Sequence, residues 1–258
     1  MSVKTKVIAT VNQKGGVGKT TSTIEIAAAL GELGKKVLII DFDQQCNLTQ
    51  YSGIKVDEKS IYDVINCEIR VDEAIQHCAK YDIIAGSERI SKADREFIDH
   101  DDVFLLLDVV EAISDKKYDY VIIDNNPARN ILFTMALVAA DYVVIPTECD
   151  EGSISGVITT YKDLKKLREG RQKLSHAEVI GIILTKFENT NMHKIAEENL
   201  KEFAEEIMED KPEIYKIRKA ISTSTTKTMK KSLQEYDKYG NAATDYRQLV
   251  KSLMERIG

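Results

Sequence analysis

Ten consecutive residues, Asn12-Gln13-Lys14-Gly15-Gly16-Val17-Gly18-Lys19-Thr20-Thr21, bring together three glycines, two lysines and two threonines. Glycines at this density let successive backbone N–H groups converge on phosphate oxygens, and a helix opening there adds the positive end of its dipole. At this spacing Lys19 reaches β- and γ-phosphates and the Thr20 hydroxyl ligates Mg2+. Gly15, Gly16, Val17, Gly18 and Thr21 complete the cradle. A Gly-rich turn without a ligand is the plain alternative, but six specified positions at about one in fifteen usage recur by chance in only ~10⁻⁷ of windows. Carboxylates stand at two further points. Val37-Leu38-Ile39-Ile40-Asp41-Phe42-Asp43 ends in two acids at i and i+2, which leave the same face of a strand. Tyr120-Val121-Ile122-Ile123-Asp124 is an apolar run ending in an aspartate that can hold Mg2+ through its water shell.

Such residues need a scaffold that ends its strands together. Short apolar runs alternate with helix-like stretches, which reads as α/β with a mainly parallel twisted sheet covered by helices on both faces. Strands are expected at Lys6–Val11, Lys36–Asp41, Tyr81–Ala85, Tyr118–Asp124, Tyr142–Pro146 and Val179–Leu184. Their near-continuous Val/Ile/Leu content suits strands covered on both sides. Helices are expected at Thr20–Leu33 (with Gly34 in the capping place), Asp101–Ser114, Asn130–Ala139, Ser153–Glu169, Asn191–Asp210 and Asn241–Ile257. With three prolines and no linker or repeat, residues 1–258 read as one domain, with a helical insertion at about 58–114 and a basic C-terminal region at about 211–258.

The glycine loop departs from G-x-x-x-x-G-K-[ST]: Gln13 stands at the first glycine position and Lys14 lies inside, giving K-G-G-x-x-K-[ST]. In this form the chain resembles the ParA/MinD family of P-loop ATPases, and within it the ParA-type, Soj-like partition ATPases. The resemblance implies a P-loop NTPase fold, ATP and Mg2+ as cofactors, and a homodimer formed on ATP binding. In that dimer Lys14 reaches the partner's phosphates, a cation delivered in trans. Asp41, Asp43, Gln45 and Asn47 match the family's D-x-D-P-Q-x-N, with Gln44 in place of proline. By resemblance, Asp41 joins Thr20 and Asp124 around Mg2+, and Asp43 positions the attacking water beside the catalytic Lys14 and Lys19. Asn125-Asn126-Pro127-Ala128 replaces the prolines and small residue that usually follow the family's Walker B strand, which Tyr120–Asp124 matches. Ala140 to Pro146, then Glu148 and Gly156, extend the match to about residues 3–185. Leu184 to Asn189 ends a strand where the family's base pocket lies, and the lack of N-K-x-D favours ATP over GTP. Ser222–Thr226 either borders the base or caps the next helix.

The net charge of −6 divides into −12 over residues 1–210 and +6 over 211–258. Lys211, Lys216, Arg218, Lys219, Lys227, Lys230 and Lys231 face the single acid Glu213 within their stretch, and Lys162–Lys173 is a second basic run. The partition reading makes Arg218, Lys219, Lys227, Lys230 and Lys231 nonspecific DNA contacts, and adds a ParB-like centromere-binding partner that stimulates hydrolysis. No helix-turn-helix precedes the glycine loop, which argues against operator binding. A MinD-like positioning ATPase, acting on a membrane or protein cargo, is the alternative. Leu249, Val250, Leu253, Met254 and Ile257 form a stripe, but it is short and lacks Phe or Trp, so docking on the sheet is favoured over membrane binding. Cys46, Cys67, Cys78 and Cys149 form no C-x-x-C, which disfavours a cluster carrier or a disulfide scaffold. Without a signal-peptide pattern or a run of about 18 apolar residues, the expected location is cytoplasmic, on the nucleoid when ATP is bound.

Overall fold

The computed structural model describes residues 4–55, 59–114 and 118–258. β1 (Lys6–Thr10) leads through the glycine loop into α1 (Lys19–Glu32) and then β2 (Val37–Phe42). Next come α2 (Asn47–Tyr51), α3 (Ile61–Ile65), α4 (Val71–Ala74), β3 (Ile75–His77), β4 (Asp82–Ile84), α5 (Ala93–Glu96) and α6 (Leu105–Ser114). β5 (Tyr120–Asn125), α7 (Ile131–Ala139), β6 (Tyr142–Thr147), α8 (Glu151–Glu169), β7 (Glu178–Phe187) and α9 (Asn191–Glu206) follow. The chain then forms β8 (Glu213–Arg218), α10 (Ser222–Met229), α11 (Leu233–Tyr236) and α12 (Asn241–Ile257).

The eight strands lie in the order β3-β4-β2-β5-β1-β6-β7-β8, parallel except for the β3–β4 pair. β5 separates β1 from β2, and the chain afterwards crosses to β6 on the far side of β1. Such a reversal opens a crevice at the carboxyl ends of the strands, which is where the glycine loop begins. All six residues of β2 are buried, and successive side chains enter opposite cores. Val37 and Ile39 pack with α1 and α12, while Leu38, Ile40 and Phe42 pack with α3, α6 and α7. A third cluster joins α7, α8 and α9 to β1, β6 and β7. Residues 59–114 thus supply two strands and one flank of the sheet. The α12 stripe is docked on the sheet: Leu249, Val250 and Leu253 are buried beside Ile8, Ile180 and Ile217.

Several element limits differ from those read in the sequence. α9 stops at Glu206, short of Asp210, whose carboxylate accepts from Val179 N at 3.0 Å and from Arg168 at 2.7 Å. Those bonds hold Asp210 against β7 and α8, off the helix axis. A 3₁₀ turn, His100–Phe104, replaces the first turn expected of α6. Asn130 is the N-cap of α7, its Oδ1 accepting from Phe133 N at 3.2 Å. α8 starts earlier, at Glu151. β3 and β8 were not expected; both are edge strands, and the Glu, Lys and Arg of β8 are the charges that keep an edge from pairing with another chain.

Candidate functional site

The glycine loop follows β1 at the centre of the sheet and turns into α1 through two left-handed glycines, Gly16 at φ 78° and Gly18 at φ 93°. Residues with a Cβ are strained there. The loop is pinned from both sides. Asn12 Oδ1 accepts from Lys14 N at 2.9 Å while Asn12 Nδ2 donates to Pro146 O at 2.8 Å. Gly156 on α8 abuts this amide so closely that a Cβ would sit 2.4 Å from Asn12 Oδ1. Gln13, where glycine is usual, donates to Asp163 of α8 at 2.7 Å, and Arg129 binds the other oxygen of that carboxylate at 2.5 Å. Thr185 Oγ1 donates to Val17 O (2.9 Å) or Thr147 O (3.1 Å), bracing the loop against β6 and β7.

Lys19 is buried inside the loop, its Nζ donating to Lys14 O at 3.0 Å. Lys14 is half-buried and pairs with Asp150 at 2.6 Å. A cleft of about 630 Å³ opens above the loop, lined by Gly15, Gly16, Gly18, Lys19, Thr20, Thr21 and Asp43 and by residues of the β8–α10 segment.

Asp41 and Asp124 are register partners at the ends of β2 and β5, and Asp124 also pairs with Thr10 of β1. Their chemistry differs. Asp41 accepts from Thr49 N (2.8 Å) and Thr49 Oγ1 (2.6 Å), so its carboxylate holds the start of α2; burial raises its pKa to about 6. Asp124 is raised well above the usual carboxylate range, chiefly by burial and then by Asp41, against a hydrogen bond from Thr20 and the charge of Lys19. Its Oδ2 is buried without a hydrogen-bond partner. Burial lowers the Lys19 pKa, while Asp124 and Asp43 pull it back up. Asp41, Asp43 and Asp124 share the single ammonium of Lys19, and an orphaned carboxylate oxygen beside the Thr20 hydroxyl suits a hard cation that keeps most of its waters. No group of three or more His, Cys, Asp or Glu converges on one point among the described residues, which therefore offer no all-protein metal cage. Asp43 lines the cleft with Oδ1 accepting from Gln45 N at 3.0 Å.

The basic residues of the C-terminal region divide. Arg218 is bound by Asp245 (2.6 Å from Nη2) and Lys219 by Glu188 (3.3 Å), and both line the cleft, as does Lys227. Lys216 pairs with Glu197 at 3.1 Å. Acids from α9, α12 and the β7–α9 turn therefore offset a stretch that held a single acid in sequence. Lys230 and Lys231 are exposed at the end of α10. In the second basic run, Lys165 pairs with Glu209 (2.6 Å) and Arg168 with Asp210 (2.7 Å). α8 packs with α7 and α9, whereas α10 meets α2 and α11 on the α1 side, so the two runs lie on opposite sheet faces. Thr223 and Ser224 of α10 line the cleft, as does Pro127 of the run that follows β5; Tyr51, Ile217 and Ile221 line it too, and no motif marked them. Tyr51 ends a five-residue helix, too short for a periodic signal.

Comparison with known proteins agrees with this geometry. A family model described as an AAA domain matches residues 5–176. The chain is 31% identical to the sporulation initiation inhibitor protein Soj of Bacillus subtilis, over 96% of this chain and 98% of that one. It is 29% identical to the chromosome-partitioning ATPase Soj of Treponema pallidum, over 98% of each. Among solved structures, a plasmid partition protein from Borrelia burgdorferi bound to AMPPNP superposes with a TM-score of 0.83 at 24% identity, covering 98% of this chain and 100% of that one. A lysine-bearing glycine loop at the centre of a parallel sheet, facing the aspartates of β2 and β5, and sequence relatives across nearly the whole length lead to one assignment: the chain belongs to the ParA/MinD family of P-loop ATPases.

Proposed function

We propose that this chain is a partition ATPase that binds ATP with Mg2+, dimerises face to face, holds DNA nonspecifically and releases it on hydrolysis. What supports this reading above all is Lys14: a second cation in the phosphate loop, half-buried and held by Asp150 rather than among the residues that line its own cleft. The N–H groups of Gly15–Thr21 and the buried Lys19 hold the phosphates; Thr20 and Asp124 hold the Mg2+ that offsets their charge. Asp43 orients the water that attacks the terminal phosphorus, yielding ADP and phosphate. Lys14 exchanges Asp150 for the phosphates of the facing subunit, so the trans cation arrives only in the dimer. Dimerisation also doubles the cations that meet DNA, which steepens the dependence of binding on salt. A ParB-like partner would accelerate the hydrolysis that ends this state. The docked α12 disfavours the membrane-positioning alternative, and no helix among the described residues is long and apolar enough to cross a membrane.

One sedimentation assay tests the proposal: protein with ATP or ADP, against DNA and against anionic liposomes. Expected is ATP-dependent pelleting with DNA alone, weakening as salt rises. Pelleting with liposomes and not with DNA would replace this reading by the positioning one.

A further inference from the structure

The α10 side of the cleft holds a cation that the chain does not neutralise. Lys227 lines both the main cleft and a small recess that it shares with Thr21, Ile24, Glu25, Tyr51, Thr226 and Lys231. It is half-buried, with Nζ 5.1 Å from the centre of the Tyr51 ring. Among the described residues no carboxylate pairs with it, and the charge it feels is the repulsion of Lys186, which adds to burial in lowering its pKa. The other cations of the wall are satisfied: Arg218 by Asp245, Lys219 by Glu188 and Lys186 by Glu148. A lysine withdrawn from water beside another lysine is costly, and a cation–π contact offsets only part of that cost. An anion in the cleft would offset the rest.

The recess places that anion. Thr21 follows the Mg2+-binding Thr20 in α1, so Lys227 stands at the α-phosphate end of the loop, whereas Lys19 serves the β- and γ-phosphates. We infer that Lys227 is a binding residue for the phosphate group that nucleoside di- and triphosphates share. The inference rests on the ATPase reading above. Tyr51 holds the ammonium in reach of the cleft before nucleotide arrives, so little ordering remains for binding. A contact made equally to ADP and ATP adds affinity to both and leaves the balance between the two nucleotide states unchanged. It also takes Lys227 off the outer surface where a DNA contact would stand.

Calorimetry with MgADP and MgAMPPNP on the parent, Lys227→Met and Lys227→Arg tests this. Met keeps the stem packed against Tyr51, and matching melting curves establish that the variant is folded. Lys227→Met should raise Kd about tenfold for both nucleotides with their ratio preserved, as loss of a charge-assisted hydrogen bond requires, and Lys227→Arg should recover most of the affinity. Unchanged Kd values for Lys227→Met overturn the inference and leave the ATPase reading intact. A loss confined to MgAMPPNP overturns the α-phosphate placement. Weaker DNA retention with unaltered nucleotide affinity returns Lys227 to the DNA surface. A parent that binds neither nucleotide strikes the ATPase reading itself.

Discussion

At the residue scale, the two aspartates of the D-x-D run have separate tasks although their spacing is that of a pair. Asp41 is fully buried with its carboxylate bound by Thr49, whereas Asp43 reaches the cleft. A change at Asp43 should therefore affect turnover more than architecture. Asp43→Ala is expected to bind ATP and to form ATP-dependent dimers while phosphate release slows by about 10²-fold or more. Phosphate release at the parental rate would remove Asp43 from the reaction. Lys19 shows how far burial alone can act: its ammonium sits inside a loop whose carbonyl at Lys14 holds it 3.0 Å away, so the loop keeps its shape before any phosphate arrives.

At the element scale, α1 carries more than the phosphate cradle. Glu25, buried on its inner side, accepts Leu233 N with both oxygens (2.9 and 3.0 Å) and so holds the first turn of α11. Burial raises the Glu25 pKa from 4.5 to about 8. The folded chain thus keeps a proton that the unfolded chain releases near pH 4.5, and stability falls as pH rises between these values. Glu25→Gln retains an acceptor without the proton; its urea midpoint should be flatter from pH 5 to 8, lacking a decline of up to about 1.4 kcal/mol per pH unit, and higher than the parent's at pH 8. A parallel pair of curves would show that Glu25 does not titrate on unfolding. The elements that carry the site were legible because their signals are local: a glycine–lysine run between an apolar strand and a helix, and Val/Ile/Leu strands ending in aspartate. β8 was hidden because Glu213, Lys216 and Arg218 break its apolar residues into a short, irregular pattern on a half-exposed edge, with no continuous Val/Ile/Leu run. The partners of Arg218 and Lys219 were hidden for a different reason. Asp245 and Glu188 lie 27 and 31 residues away, and only the packing of α12 and the β7–α9 turn brings them near.

At the scale of the whole molecule, the acidic balance and the two basic runs acquire places. Ion pairs with Glu209 and Asp210 absorb much of the α8 run, and Asp245, Glu188 and Glu197 absorb much of the other. Lys230 and Lys231 remain exposed at the end of α10. Lys230→Glu with Lys231→Glu should weaken DNA retention across a salt series and flatten its slope, with nucleotide Kd unchanged. Full retention would place the DNA surface elsewhere. The same map shows that the phosphate cradle is not a product of the N-terminal residues alone. Ser22 of α1 meets the Tyr246 hydroxyl of α12 at 3.0 Å, Glu25 holds α11, and Tyr246 lines the cleft that Lys19 opens. These contacts join residues more than 200 positions apart. A chain still being synthesised therefore carries its glycine loop long before α12 leaves the ribosome, and the part of the pocket wall that Tyr246 supplies is added only then.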